Sequence, residues 1–195
     1  AIDVVIAQRT EQGLQQIAGF APAMPTKLRE QLLKICSEKH LDLQTLGELD
    51  NLFAVSCADA VNQLLEETNL DASKISAIGS HGQTIFHSPL TNPAFTQQIG
   101  DANIIAAKTA IPCISDFRRM DMAYGGQGAP LVPAFHQALF AKQGEQRIIL
   151  NIGGIANISV LGSDNSLLGY DTGPGNMLMD AWIDKCLKQA FDKDA

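Results

Sequence analysis

The chain has 195 residues, 46% of them hydrophobic and 18% charged, which is enough to bury the core of one domain or one and a half. Its net charge of −7 argues against a nucleic-acid partner, because the densest basic spot is only Arg118-Arg119. No apolar run approaches the ~20 residues that span a bilayer, so we expect no membrane partner either.

The first half of the chain predicts alternating strands and helices. Residues 2–8 and 14–20 flank the turn Thr10–Gly13 and predict a hairpin. Apolar residues at helical spacing predict one helix after Pro25-Thr26 and a longer one over about 42–69. The elements expected next are a strand at 75–79, a loop with Pro89 and Pro93, a strand near 96–99, a helix at about 101–109 and a buried strand at 111–115.

The second half predicts strand-strand-strand-helix where the opening predicts strand-strand-helix, so we expect the first domain to lack its first strand. A helix is expected at about 131–142, and the polar run Lys142–Gln146 is typical of a domain boundary. Strands at 147–152, 156–161 and 166–171 and a helix from near Pro174 would follow. We therefore expect an α/β fold with a first domain at 1–145 and the start of a second domain at 146–195, around a cleft.

The four cysteines are Cys36, Cys57, Cys113 and Cys186, which are far apart and lie in apolar stretches. They form no C-x-x-C pair, and no other metal-ligand spacing occurs. Buried free thiols in a reducing compartment are the simplest interpretation, and they predict a cytoplasmic protein.

Two polar clusters follow strands predicted in the first half. Ser80–Thr84 places His81, Gln83 and Thr84 at the end of a strand, where open α/β sheets bind ligands. His81 alone is more often a hydrogen-bonded histidine in a polar turn. Asp116–Asp121 holds Arg118 and Arg119 between carboxylates, which suits either a carboxylate or phosphate ligand or a surface ion-pair cluster. The glycines of Gly125–Gly128 favour a site there.

Two further runs lie in the second half. In Asn151–Asn157, the turn at Gly153-Gly154 can offer backbone N–H groups to an anion, or can simply close a hairpin. In Asp171–Gly175, the carboxylate of Asp171 ends a predicted strand before a helix. It can act as a general base or merely cap that helix.

In their order along the chain, these runs resemble the anhydro-N-acetylmuramic acid kinases. The matching stretches cover most of residues 75–182 and are Ile78–Thr84, Gln98–Gly100, Asp116–Arg119, Gly125–His136, Leu150–Gly154, Asp171–Asn176 and Leu178–Trp182. The resemblance implies the actin-like ATPase (ribonuclease H-like) architecture, with ATP and Mg²⁺ as cofactors. It also implies a reaction of peptidoglycan recycling, in which water opens the 1,6-anhydro ring of the sugar while O6 takes the γ-phosphate. Family members are typically homodimers.

The resemblance also implies roles for individual residues. Asp171 matches the catalytic base that deprotonates water. His81, Gln83, Thr84, Arg118 and Arg119 fall in segments that line the sugar side, where we favour an arginine for the lactyl carboxylate. The phosphate side would hold Asp3, Asn151, Gly153 and Gly154.

One departure from the family pattern concerns ATP. Ala1-Ile2-Asp3 matches only the tail of the family's first phosphate-binding loop. We also expect most of the second domain to be missing from this chain. We therefore expect the 195-residue chain alone to be inactive as a kinase. The alternatives are a non-catalytic, actin-like sugar-binding or assembly domain, and an anhydro-sugar hydrolase that needs no ATP.

Overall fold

The computed structural model describes residues 2–11, 13–38, 40–189 and 191. The chain is a mixed α/β protein that divides into two compact units, Ala1–Gly128 and Ala129–Ala195. The domain limits expected from the sequence, 1–145 and 146–195, concern the complete fold of the family and stay a prediction.

The first unit opens with the predicted hairpin and two helices. Strands β1 (Val4–Thr10) and β2 (Gly13–Phe20) pair antiparallel, with a bulge after Ile6. They are followed by α1 (Thr26–Glu38) and α2 (Leu43–Thr68). The Asp42 side chain caps α2 by accepting the N–H of Thr45 at 2.9 Å, and hydrogen bonds from Thr45 lower the pKa of this carboxyl. The sequence therefore located these four elements correctly to within about two residues.

The rest of the first unit consists of short strands and helices. In chain order they are a 3₁₀ turn (Ala72–Lys74), β3 (Ile78–Gly79), β4 (Gln83–Ser88), β5 (Phe95–Ile99), α3 (Ala102–Thr109), β6 (Cys113–Ile114) and α4 (Phe117–Ala123). Strands β3 and β6 pair in parallel, and β4 and β5 pair antiparallel. A core of aliphatic and aromatic side chains from α1, α2, β5 and Ile2 lies between these elements.

Two of these elements differ from the sequence expectation. Part of the loop expected after residue 84 is strand β4, and residues 117–123 form helix α4. The β4 strand is stabilised by its partner, because Phe86 stacks on Phe95 with ring centroids 5.3 Å apart. Such non-local partners leave no periodic signal within residues 83–88 themselves.

The second unit is a three-stranded antiparallel sheet with a helix on one face. Its elements are α5 (Val132–Phe140), β7 (Arg147–Ile152), β8 (Ile155–Leu161), β9 (Leu167–Pro174) and α6 (Met177–Leu187), with the strands in the order β7-β8-β9. Helix α5 packs on β8 and β9. The predicted order strand-strand-strand-helix is confirmed.

The end of β9 corrects the expectation for Asp171. The strand continues past Asp171 to Pro174, because Gly173 and Pro174 pair with Ala156 and Ile155 of β8. Helix α6 begins only at Met177. Asp171 therefore lies within a strand and is not a helix cap, so the structure excludes the capping alternative. Pro174 is correspondingly not the first helical residue.

Candidate functional site

A polar cavity of about 460 Å³ lies in the first unit, which is within the usual size range of small-molecule pockets. It is bounded by the start of α2, the loop after β3, the junction of β5 with α3 and the start of α4. Its polar lining includes His81, Gln98, Asp101, Asn103, Asp116 and Arg119. Because β3 and β6 are parallel, the segments that follow both strands meet at this cavity.

Two glycines fix the backbone of the cavity wall. Gly82 and Gly100 have φ angles of +72° and +117°, which side-chain-bearing residues rarely adopt. A Cβ atom at Gly82 would lie 2.7 Å from the carbonyl oxygen of Ile99, and one at Gly100 would lie 2.9 Å from the ring of Phe53. The N–H of Gly100 donates to Asp50 Oδ1 at 2.6 Å. These close contacts and this hydrogen bond hold the backbone of the cavity wall in a single conformation at Gly82 and Gly100.

The hydrogen bonds of His81 determine its tautomer. Arg118 Nε can only donate, so at 2.6 Å the Nε2 atom of His81 must accept. The Nδ1 atom lies 2.8 Å from the carbonyl oxygen of Gly82 and therefore carries the proton. His81 is thus neutral in this arrangement, with its ring held between α4 and its own loop.

Arg118 also joins the glycine loop to α4. Its Nη1 donates to the carbonyl oxygen of Gly128, and the N–H of Gly128 donates to Asp121 Oδ2 at 2.7 Å. A Cβ atom at Gly126 would collide with the Asp121 carboxylate, so the loop must pass close to this side chain. Arg118 and Asp121 together hold Gly125–Gly128 against α4, which makes Arg118 a positioning residue.

Arg119 has a different environment from its neighbour. Its Nε donates to Asp116 Oδ1 at 2.6 Å, in an ion pair whose side chains are 58% and 41% exposed. A pair this exposed stabilises the fold little. Arg119 lines the polar cavity, whereas Arg118 is not among its lining residues. Of the two predicted arginines, Arg119 is therefore the one that lines this cavity.

The other two predicted sugar-side residues lie elsewhere. Gln83 lines a separate cavity between β1 and β3, and Thr84 lines neither of these two cavities. Thr84 Oγ1 instead accepts from Gln98 Nε2 at 3.2 Å. Because β4 pairs with β5, side chains after residue 82 follow the strand and leave the loop that faces the polar cavity.

Gln98 is a cavity residue whose role was missed from sequence. Its Nε2 atom also donates to Thr96 Oγ1 at 2.8 Å. Its Oε1 atom is buried and has no hydrogen-bond partner among the described residues. Gln98 thus keeps an unpaired acceptor atom in a residue that lines the cavity. The position of Gln98 directly before Ile99-Gly100 was the available signal.

In the second unit, three polar residues form a line across the sheet. Asn151 pairs with Asn157, and Asn157 pairs with Asp171, so their side chains share one face. The Asn157 Oδ1 atom is buried without a partner among the described residues, and Asp171 is exposed. The register thus brings together two predicted residues, Asn151 and Asp171. It adds Asn157, which ends the run Asn151–Asn157 noted in the sequence but was not predicted as a site residue.

The turn between β7 and β8 contacts the start of α6. The carbonyl oxygens of Gly153 and Gly154 accept from Asn176 and Gly175, at 2.9 and 2.8 Å. A Cβ atom at Gly175 would collide with the Gly153 carbonyl, so this contact requires glycine at 175. A Cβ atom at Gly153 or Gly154 would approach other atoms only at 3.6 Å or more. A Cβ atom at either position would therefore make only ordinary van der Waals contact, so packing does not require glycine at 153 or 154.

Two kinds of feature are absent from the part of the chain that the structure describes. No group of three or more His, Cys, Asp or Glu side chains is arranged there to hold a metal ion. No described helix is both long and apolar enough to cross a membrane.

By its fold and its cavity, the chain is a mixed α/β protein with a polar cavity of small-molecule size at the ends of two parallel strands. The sequence model of the anhydro-N-acetylmuramic acid kinase family matches residues 1–195, so the chain belongs to that family.

Named members of the family are similar throughout the chain. It is 53% identical over 194 residues to an anhydro-N-acetylmuramic acid kinase of Vibrio vulnificus (strain YJ016), and 54% identical to one of Photobacterium profundum. Each alignment covers 100% of this chain and 52% of the relative. The chain thus spans about half the length of the curated relatives it matches.

Proposed function

We propose that the chain forms part of an ATP-dependent anhydro-N-acetylmuramic acid kinase with the actin-like ATPase architecture. In the proposed reaction, a water oxygen bonds to the anomeric carbon while the bond from that carbon to O6 breaks. O6 keeps the electron pair and bonds to the γ-phosphorus, whose bond to ADP breaks. The water proton passes to a base. The products are N-acetylmuramic acid 6-phosphate and ADP.

The observation that carries the proposal is the environment of Asp171. A general base for water needs an ionisable group that water can reach. Asp171 is exposed and is not used as a helix cap, and it lies across the sheet from Asn157 and Asn151. The two asparagine amides can donate hydrogen bonds to substrate oxygens or to the carboxylate. We assign Asp171 as the base.

The polar cavity of the first unit is the proposed sugar site. Its lining supplies both donors and acceptors for hydroxyl and acetamido groups, from His81, Gln98, Asp101 and Asn103. Arg119 supplies a guanidinium for the lactyl carboxylate, to which a planar fork can bind through two N–H groups. Arg118 would act through His81 and Gly128. We keep Gln83 and Thr84 as sugar-side predictions of lower priority, because they lie outside this cavity.

The proposed phosphate side rests on the β7–β8 turn. Gly153 and Gly154 carry no side chain, and the absence of a Cβ atom would let a phosphate group approach the backbone of this turn closely. Asn151, near the end of β7, can donate through its amide. Asp3 is exposed directly before β1. Because its carboxylate is negatively charged, it would bind the Mg²⁺ that accompanies ATP and would repel the phosphate oxygens themselves. Bound ATP would supply the γ-phosphoryl group.

Three further proposals concern the protein as a whole. Since the chain spans about half of its relatives, we propose that it lacks kinase activity by itself. We also propose a cytoplasmic location, supported by the four free thiols, although Cys36 and Cys186 are exposed and the expectation of burial was wrong for them. The third proposal is the homodimer that the family resemblance implies.

The role of Asp171 is tested in a chimera in which residues 1–195 replace the matching half of the Vibrio vulnificus kinase. Asp171→Asn should reduce kcat by about 10²-fold or more, because general-base catalysis contributes roughly that much or more. The affinity for the anhydro sugar should change little, because the amide keeps the shape of the side chain. Coupled ADP release and calorimetric titration with the sugar measure the two quantities.

The matched control is Asp184→Asn, another exposed carboxylate of the second unit. It should leave both kcat and sugar affinity within about twofold of the unmodified chimera, because surface substitutions away from a site usually have small effects. Equal turnover in the Asp171→Asn chimera would remove Asp171 from the mechanism.

A further inference from the structure

Strand β9 has one residue more than its partner strand directly after Asp171. Asn157 of β8 pairs with Asp171. The residue before it on β8, Ala156, pairs with Gly173. Thr172 therefore has no residue opposite it and is the extra residue of a β-bulge. Bulges next to functional sites commonly re-aim a side chain, and here the neighbouring side chain is that of the proposed base.

The side chain of Thr172 ties this bulge to β8. Its Oγ1 atom donates a hydrogen bond to the carbonyl oxygen of Ala156 at 3.1 Å. The next residue, Gly173, has a φ angle of +138°, which residues with a side chain rarely adopt. The Thr172 hydroxyl thus supplies a cross-strand contact at a position of β9 that lacks a residue opposite it.

The strand before Asp171 is held by helix α5. A Cβ atom at Gly169 would collide with the ring of Pro133 at the start of α5, so the helix packs directly on this part of β9. Alternate residues of a strand face the same side of a sheet, so Asp171 also lies on the α5 face, two residues beyond Gly169. Packing against the helix fixes the strand before Asp171, and the bond of Thr172 holds the strand after it.

We propose that Thr172 is a positioning residue for Asp171, an inference that rests on the proposed function of Asp171 as the base. The hydroxyl acts through the backbone. Its bond to Ala156 fixes the peptide unit that follows Asp171, and that unit sets the direction of the carboxylate toward the attacking water. A displacement of a reacting group by about 1 Å can reduce turnover by about 10²-fold, so a residue that touches no substrate can still control the rate.

Thr10 offers a matched comparison within the same chain. Its Oγ1 atom donates to the carbonyl oxygen of Gly13 at 3.0 Å, across the β1–β2 hairpin. Thr10 and Gly13 are directly paired, with no extra residue between the strands at that point. The bond is chemically the same as that of Thr172, but it has no proposed base beside it.

The test measures kcat and KM in the chimera that carries residues 1–195 in the Vibrio vulnificus kinase. Thr172→Val keeps the shape of the side chain and removes the donor. It should lower kcat about tenfold, because the base is displaced from the water. The KM values for the anhydro sugar and ATP should stay within about twofold, because the loss affects only the transition state. Thr172→Ser keeps the hydroxyl, so kcat should stay within about twofold of the unmodified chimera, as it should in Thr10→Val.

A double variant separates positioning from a general effect on the fold. If Thr172 acts only through the carboxylate of Asp171, Thr172→Val should cause no further loss of kcat in the Asp171→Asn chimera. A general weakening of the fold would instead reduce turnover in both backgrounds. Circular dichroism checks each variant. If Thr172→Val does not fold, Thr172→Ala takes its place with the same expected results, and failure of both to fold would show that the hydroxyl is purely structural.

Four kinetic results would overturn the inference. They are an unchanged kcat in Thr172→Val, an equal loss in Thr172→Ser, an equal loss in Thr10→Val, and a further loss of the same size in the Asp171→Asn background. A raised KM with unchanged kcat would make Thr172 a binding residue. Normal turnover of the Asp171→Asn chimera would contradict the proposed base itself, so failure of the proposed function is distinguished from failure of this inference alone.

Discussion

At the scale of single residues, the buried position of Cys57 predicts how the alkylation rate of its thiol depends on pH. Burial raises the pKa of this thiol to about 11, and the neighbouring Cys113 adds to the effect. The thiolate is the reactive form, so alkylation of Cys57 should still rise about tenfold per pH unit between about pH 7 and 9.5. Iodoacetamide labelling with peptide mass spectrometry measures this rate.

The exposed Cys36 of the same chain supplies the reference for accessibility. A Cys57 rate that levels off near about pH 8.5, the ordinary value for a thiol, would show that the side chain is solvated.

The two arginines illustrate how residue roles separate only in three dimensions. Adjacent in sequence, Arg118 and Arg119 offer the same guanidinium group. Because they are neighbours on α4, they point in different directions, and one binds His81 while the other lines the polar cavity. Sequence identified the pair as functional candidates but offered no means of choosing between them.

At the scale of elements, the contact of α5 with the sheet depends on a buried polar pair. His136 Nδ1 lies 2.8 Å from Ser159 Oγ, and both side chains are buried. Ser159→Ala would leave the histidine without this partner, so we expect a loss of about 1–3 kcal/mol in the free energy of unfolding. Urea denaturation, followed by circular dichroism, measures the change.

Ser163→Ala, at an exposed position of the β8–β9 turn, is the control and should change stability by less than about 0.5 kcal/mol. Equal stability of the Ser159→Ala and wild-type chains would show that water replaces the hydroxyl.

The sequence predicted those elements whose signal is local. Helices α1 and α2 show apolar periodicity, and the β1–β2 hairpin and the β7–β8–β9 meander follow turn residues. Strand β4 was missed because its stabilising stack, Phe86 on Phe95, joins residues distant along the chain. The start of α6 was placed near Pro174, ahead of Met177, because proline suits a first helical turn but here ends a strand.

In the candidate site, too, some residues could be predicted from local sequence and others only from contacts between distant segments. His81, Arg119 and Asp171 stand out by residue type beside glycines and strand ends. The line Asn151–Asn157–Asp171 depends on strand register, including the bulge after Ala156. Gln98 is recognised by its place in the cavity lining and by its buried Oε1 atom, which has no partner among the described residues. Such relations require coordinates, because they arise between segments distant in sequence.

At the scale of the whole molecule, both units leave sheet surface uncovered. In the second unit, one sheet face is apolar, and Ile148, Leu150 and Tyr170 there are exposed by 65%, 57% and 48%. In the first unit, the described parts of β1 and β3 leave facing edges unpaired. An apolar face of this kind is typical of a surface that another part of a protein covers. These features agree with a chain that spans about half of its relatives.

The proposed kinase function is tested by phosphorus NMR of the unmodified chimera, incubated with anhydro-N-acetylmuramic acid and Mg²⁺, with and without ATP. If residues 1–195 form part of an ATP-dependent kinase, N-acetylmuramic acid 6-phosphate should appear only when ATP is present. Ring-opened sugar without ATP would indicate a hydrolase, and sugar binding with no product would indicate a binding domain. Either result would contradict the proposed kinase function.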